Sequence, residues 1–114
     1  MWPIMLQLES RSQKPAPVFA ALGCDTRLEL LSRLGDGRDY SITELTDGLN
    51  LTRQAVTKHL RVLQQAGIVG SRRVGRESRF TIRPGPITQA KDYLARVSDQ
   101  WDESIARLRA TVEQ

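Results

Sequence analysis

The chain has 114 residues, enough for one domain that buries a core without disulfides. Its 39% hydrophobic and 26% charged residues exclude a disordered chain, and its single cysteine, Cys24, excludes an intrachain disulfide and fits a reducing cytoplasm. The net charge of +4 is unevenly spread: Thr52 to Arg83 holds eight basic residues (Arg53, Lys58, Arg61, Arg72, Arg73, Arg76, Arg79, Arg83) and one acid, Glu77, so that stretch carries +7 and the other 82 residues carry −3. Charge of one sign gathered on one segment points to a polyanionic partner.

Residues 1–14 read as a loosely specified arm. The apolar run from Trp2 to Leu6 is broken by Pro3 and has no basic residue before it, so it reads neither as a signal peptide nor as a membrane span. Pro15 and Pro17 start a short helix that carries Val18, Phe19 and Leu22 and closes at Gly23. Asp25 is expected to cap a second helix, with Leu28, Leu31 and Leu34 at helical spacing, before GDGRD breaks it. Ser41-Ile42-Thr43-Glu44 is a capping box: the serine hydroxyl accepts from the third helical N–H, and the glutamate reaches back to the serine N–H. The helix it opens presents Ile42, Leu45 and Leu49 on one face.

Asn50 and Leu51 form a tight turn, and Thr52 caps the next helix. Val56, Leu60, Leu63 and Ala66 form its apolar stripe, with Leu51 at the start of the buried face and Gly67 as the stop signal. Two short strands are predicted over about 68–73 and 78–82, joined through Val74 to Glu77, where Gly75 suits a positive φ. Pro84-Gly85-Pro86 ends this hairpin. The final segment, 87–114, is a long helix: Ile87, Ala90, Leu94, Val97, Trp101, Ile105, Leu108 and Val112 recur in steps of three and four, a coiled-coil seam roughly 39 Å long. A domain this small covers only part of such a face. The remainder, from Leu94 to Val112 and helped by Val18 and Phe19 of the first short helix, is expected to pair two copies of the chain.

The predicted fold is therefore mainly α with a small β-hairpin wing, a dimeric winged helix-turn-helix with an arm (1–14), a DNA-binding core (15–86) and a dimerisation helix (87–114). Such a fold places the first turns of the helix after Thr52 in the major groove of double-stranded DNA. With Val56, Leu60 and Leu63 facing inward, Arg53, Gln54, Thr57, Lys58 and Arg61 face outward. Arginine pairs bidentately with guanine, and glutamine with adenine. Thr57 suits a thymine methyl or a phosphate, Lys58 and Arg61 suit phosphates, and Thr52 at the helix start suits a phosphate. The wing adds Arg72, Arg73, Arg76 and Arg79 to the expected DNA contacts; strand alternation sends Arg72 and Arg73 to opposite faces, so they cannot both touch DNA in the same way. Arg76 at the tip suits a narrow minor groove, whereas Arg79 either joins the DNA contacts or pairs with Glu77 or another acid. His59, the one histidine, sits beside the apolar stripe and reads as a packed, hydrogen-bonded side chain.

VFAALGCDTRLELLSRL, ITELTDGLNLTRQAVTKHLRVLQQAGIV and SRRVGRESRFTI together resemble the arsenic-responsive repressor (ArsR/SmtB) family of winged-helix regulators, from about Val18 to Ile82. The resemblance implies a homodimer that binds an inverted-repeat operator and represses transcription. It also implies that the first and last helices lie at the dimer interface, and that Arg53, Gln54, Thr57 and Lys58 read the groove. Metal-sensing members carry paired cysteines where this chain has ITELTDGLN, or His and Asp ligands along the final helix. Here that helix has Asp92, Asp99, Asp102 and Glu103 but no histidine, and a dithiol sensor needs a second cysteine besides Cys24. No metal and no cofactor is expected, an inducing small molecule is unspecified, and a redox role for Cys24 is left open. The competing reading is a winged helix that grips a protein or RNA. No Ser-His-Asp set, paired active-site acids or phosphate loop supports an enzyme.

Overall fold

Each helix boundary has a local cause. In the computed structural model, which describes residues 14–113, two prolines open α1 (Pro15–Leu22). The expected arm lies outside the described residues except for Lys14. In α2 (Asp25–Leu34) the N-cap position falls to Cys24, whose side chain makes no capping hydrogen bond; Asp25 instead occupies the first turn, with its charge favourably near the helix N-terminus. Its buried stripe is Leu30, Leu31 and Leu34; Leu28, expected inside, is 48% exposed. A leucine three residues before Leu31 fits the spacing, but only the direction from which the rest of the chain packs decides which leucines are covered.

After the GDGRD break comes a two-residue strand, β1 (Tyr40–Ser41), that the sequence pattern does not signal. It is followed at once by α3 (Ile42–Thr46), whose capping box is complete: Glu44 N donates to Ser41 Oγ at 3.1 Å, and Ser41 N donates to Glu44 Oε1 at 2.8 Å. Helix α4 (Arg53–Gln65) starts on Thr52, whose Oγ1 accepts from Ala55 N at 3.1 Å. Gly67 ends the turn after α4 with φ 78°, a left-handed conformation that disfavours any residue with a Cβ. Leu51, expected on the buried face, is 37% exposed.

Strands β2 (Val69–Val74) and β3 (Glu77–Ile82) form the hairpin, with Val69 opposite Ile82 and Val74 opposite Glu77. The loop is Gly75 and Arg76, and Gly75 has φ 63°, as a two-residue hairpin loop with right-handed strand twist requires. β1 adds to the free edge of β3, giving the antiparallel order β1-β3-β2. The core lies between α2, α3, α4 and one face of this sheet, where Leu30, Leu34, Leu45, Val56, Leu60, Leu63 and Ile68 are fully buried.

Helix α5 (Gly85–Val112) begins two residues earlier than expected, with Pro84 as its N-cap and Pro86 in its first turn. Its 28 residues run about 42 Å at about 1.5 Å per residue. Ala90 is buried and Ile87 packs on the core, while α1 lies against the same helix, with Phe19 and Tyr93 rings 6.1 Å apart. Val18, expected at a dimer interface, is taken up by the chain's own core at 5% exposure. Beyond that point the seam is bare: Leu94, Trp101, Ile105, Leu108 and Val112 are exposed, Trp101 to 65% and Val112 to 82%, and Val97 is half-buried. Among the described residues no helix is long and apolar enough to cross a membrane.

Candidate nucleic-acid interface

The outward face of α4 follows from its buried one. With Val56, Leu60 and Leu63 held in the core, Arg53, Gln54, Lys58 and Arg61 are exposed and Thr57 is half-buried beside them. The wing folds back toward the same side. Arg53, Gln54, Thr57, Lys58 and Arg61 of α4, Ser41 to Thr43 at the start of α3, and Arg76, Glu77 and Ser78 of the wing border one open cleft of about 710 Å³. The turn that aims α4 is secured by Arg33 on α2, whose Nη1 donates to the Leu45 carbonyl at 3.1 Å and to the Asp47 carbonyl.

Thr57 donates its hydroxyl proton to the Arg53 carbonyl at 2.7 Å. That ties its hydroxyl to its own helix and leaves its methyl at the helix surface. Thr52 keeps its hydroxyl proton, because its oxygen is the acceptor in the cap.

The basic residues that the sequence groups together fall into two electrostatic classes. Arg53, Lys58, Arg61 and Arg76 are ion-paired to no acid among the described residues. Arg72 and Arg79, directly opposite each other in the hairpin, are instead bridged by Asp39: Arg72 Nη2 to Oδ2 at 2.8 Å and Arg79 Nε to Oδ1 at 3.1 Å. Arg79 also donates to Glu44 at 2.9 Å and Glu77 at 3.1 Å. Of its two sequence-level readings, the structure therefore gives the pairing, and with an acid, Asp39, that sequence alone did not pick out. Arg73 lies on the other face of β2, the one shared with Ser71, and Ser71 accepts from Gln64 of α4 at 2.9 Å. Arg83 lies at the base of the wing against Gly70, where an added Cβ would meet its Nε at 2.2 Å.

The hydrogen bonds from Arg72 and Arg79 hold the Asp39 carboxyl below its ordinary value. The Ser41 N–H, followed by the Arg79 charge, does the same for Glu44. The Arg27 N–H at the start of α2 lowers the Cys24 thiol. His59 is half-buried and hydrogen-bonded, as its place beside the stripe predicts.

A helix-turn-helix domain family matches residues 22–72, which contain α2, α3, α4 and the start of the wing. The uncharacterized helix-turn-helix-type transcriptional regulator YuzN of Bacillus subtilis is 42% identical over 65 residues, 52% of this chain and 71% of that protein. An ArsR-like transcriptional regulator from Rhodococcus sp. RHA1 superposes with TM-score 0.78 at 39% identity, covering 86% of this chain and 89% of that one. The chain belongs to the ArsR-like family of transcriptional regulators. As an ArsR-like protein it is a DNA-binding regulator of transcription rather than an enzyme. The transcriptional activator HlyU of Vibrio cholerae, 28% identical over 96 residues (83% of this chain and 88% of that protein), is a further relative.

Proposed function

We propose that the chain is a cytoplasmic homodimeric repressor that binds an inverted-repeat operator, with α4 in the major groove and the wing on the backbone or in the minor groove. The observation that carries this reading is the cleft: a recognition-helix face with Arg53, Gln54, Thr57, Lys58 and Arg61 opens toward Arg76, and its four cations pair with no acid among the described residues. Unpaired cations around a concave surface are positioned for phosphates, whose neutralisation releases counterions. Gln54 is the base-reading candidate, Thr57 offers its methyl to thymine, and Thr52, Lys58, Arg61 and Arg73 serve the backbone. Arg72 and Arg79, engaged with acids, are set apart from the contact set.

Dimerisation is supported by the bare seam on α5 from Leu94 to Val112, an apolar stripe that one chain leaves exposed. Two-fold symmetry then requires half-sites about 34–36 Å apart or a multiple of that spacing. The direction of regulation needs its own test, since HlyU carries the name of an activator.

The test is operator and random-duplex affinity at several salt concentrations. Gln54→Ala is expected to cost about 1–3 kcal/mol on the operator and little on random DNA. Arg76→Ala is expected to weaken both duplexes and to lower the slope of log K against log salt by about 0.9 per lost phosphate contact, twice over in a dimer. Equal weakening of both duplexes by Gln54→Ala, with an unchanged salt slope for Arg76→Ala, would overturn this placement. A reporter under the operator distinguishes repression from activation by the sign of its response.

A further inference from the structure

The wing of a winged helix has few contacts of its own beyond its partner strands, so something must set its angle to the recognition helix. In this chain β1 is only two residues long, and it pairs Ser41 with Arg79 of β3. The Arg79 side chain is 21% exposed and uses four of its five N–H groups within the domain. Nε donates to Asp39 Oδ1 at 3.1 Å, Nη2 to the Asp39 carbonyl at 3.2 Å and to Glu44 Oε1 at 2.9 Å, and Nη1 to Glu77 Oε1 at 3.1 Å. The Glu44 oxygen that receives Arg79 is the same atom that holds the Ser41 N–H in the capping box. One guanidinium thus joins the residue before β1, the first turn of α3 and the start of β3. The start of α3 and the start of β3 border the cleft, whose third wall is α4.

We infer that Arg79 is a positioning residue for DNA binding: with Asp39 and Glu44 it fixes the wing, and so Arg76 at its tip, relative to the start of α3 and the recognition helix. This rests on the reading of the wing as a DNA-contacting element. The guanidinium suits the task because its planar fork meets several acceptors in fixed directions, whereas a lysine ammonium is a point charge on a flexible stem. Asp39 has a second task, since it neutralises two arginines that would otherwise repel each other directly across the hairpin.

The inference predicts the opposite sign from simple charge counting. Removing an acid beside a DNA-binding surface should tighten binding if charge alone matters. Here Asp39→Asn is expected to weaken operator binding by about three- to tenfold, the range for residues that act without touching the ligand. Arg79→Lys, which keeps the charge, is expected to weaken it similarly, and Glu44→Gln, which preserves the capping box, by less. In an Arg76→Ala background the effect of Arg79→Lys should shrink toward nothing, because the two act through one element.

The same variants are examined free of DNA by amide hydrogen exchange. Faster exchange at Val74 to Glu77 in Asp39→Asn and Arg79→Lys, with unchanged exchange in α4, supports the inference. Tighter operator binding by Asp39→Asn, full affinity in Arg79→Lys, or unaltered wing-tip exchange would overturn it. Failure of the DNA reading would show separately, as an Arg76→Ala protein of unchanged affinity. The exchange rates would still decide whether Arg79 restrains the wing.

Discussion

Arg27 on α2 directs Nη1 at His59 Nδ1 on α4, 3.3 Å away, while its Nε donates to the Ala21 carbonyl at 2.5 Å and its Nη2 to the Ala20 carbonyl at 3.3 Å. Because a guanidinium only donates, Nδ1 is the acceptor and the neutral ring carries its proton on Nε2. One side chain therefore ties the end of α1 and α4 to α2. Arg27→Ala removes the donor from two carbonyls and a ring nitrogen, and is expected to lower stability by about 1–3 kcal/mol. Thermal unfolding followed by circular dichroism should show the midpoint falling by about 4–8 °C for each kcal/mol. An unchanged midpoint would show that water replaces the guanidinium without loss.

The acids that hold the wing make its stability sensitive to low pH. Asp39 and Glu44 are lowered from ordinary values of 3.8 and 4.5, Asp39 chiefly by Arg72 and then Arg79, Glu44 chiefly by the Ser41 N–H. Below those values the unfolded chain binds more protons than the folded one, so stability rises with pH through the window. The contribution is whole above about pH 4.5 and is lost as the pH falls through the lowered folded-state values. Unfolding midpoints measured from about pH 6 down to about pH 3 should fall less steeply in Asp39→Asn than in the parent. Parallel curves would mean that other carboxyls dominate acid unfolding.

Trp101 sits midway along the bare α5 seam. Since it is exposed in a single chain, Trp101→Glu should leave the winged core folded. In a dimer the same change buries an unpaired carboxylate, which costs several kcal/mol. Analytical ultracentrifugation is expected to give a dimer for the parent and a monomer for the variant, with similar helix content. A parent that sediments as a monomer at micromolar concentration would remove the dimer from the proposed function.

Among the described residues no group of three or more His, Cys, Asp or Glu side chains is placed to hold a metal ion. Zinc sites need clustered imidazole or thiolate ligands, and His59 already gives Nδ1 to Arg27. Operator affinity is therefore expected to be the same with added zinc and with a strong chelator. Stoichiometric, nanomolar zinc binding that releases the operator would contradict this, and would direct attention to a pair of Cys24 residues across a dimer.

Much of this architecture is written in local signals. Prolines at the start of α1, the Ser41–Glu44 box, Thr52 before α4, and Gly67 and Gly75 at positive φ all act within a few residues of themselves, so their effect is readable along the chain. The outward face of α4 is legible for the same reason: a 3.6-residue period that buries Val56, Leu60 and Leu63 forces Arg53, Gln54, Lys58 and Arg61 outward. The length of α5 and its apolar seam follow from the same periodicity.

Tertiary structure alone decided what depends on approach from a distance. β1 exists because Tyr40 and Ser41 meet the free edge of β3, forty residues on for Tyr40 and Phe80; two residues carry no strand pattern of their own. Leu28 and Leu51 are as apolar as their buried neighbours, yet they stay 48% and 37% exposed, while Val18 is covered by its own chain. The eight basic residues look equivalent as charge. Asp39, brought beside Arg72 and Arg79 by that same edge pairing, sets these two apart from Arg53, Lys58, Arg61 and Arg76, which pair with no acid among the described residues. Periodicity reports which way a side chain faces on its own helix or strand; only the packed fold determines what it faces.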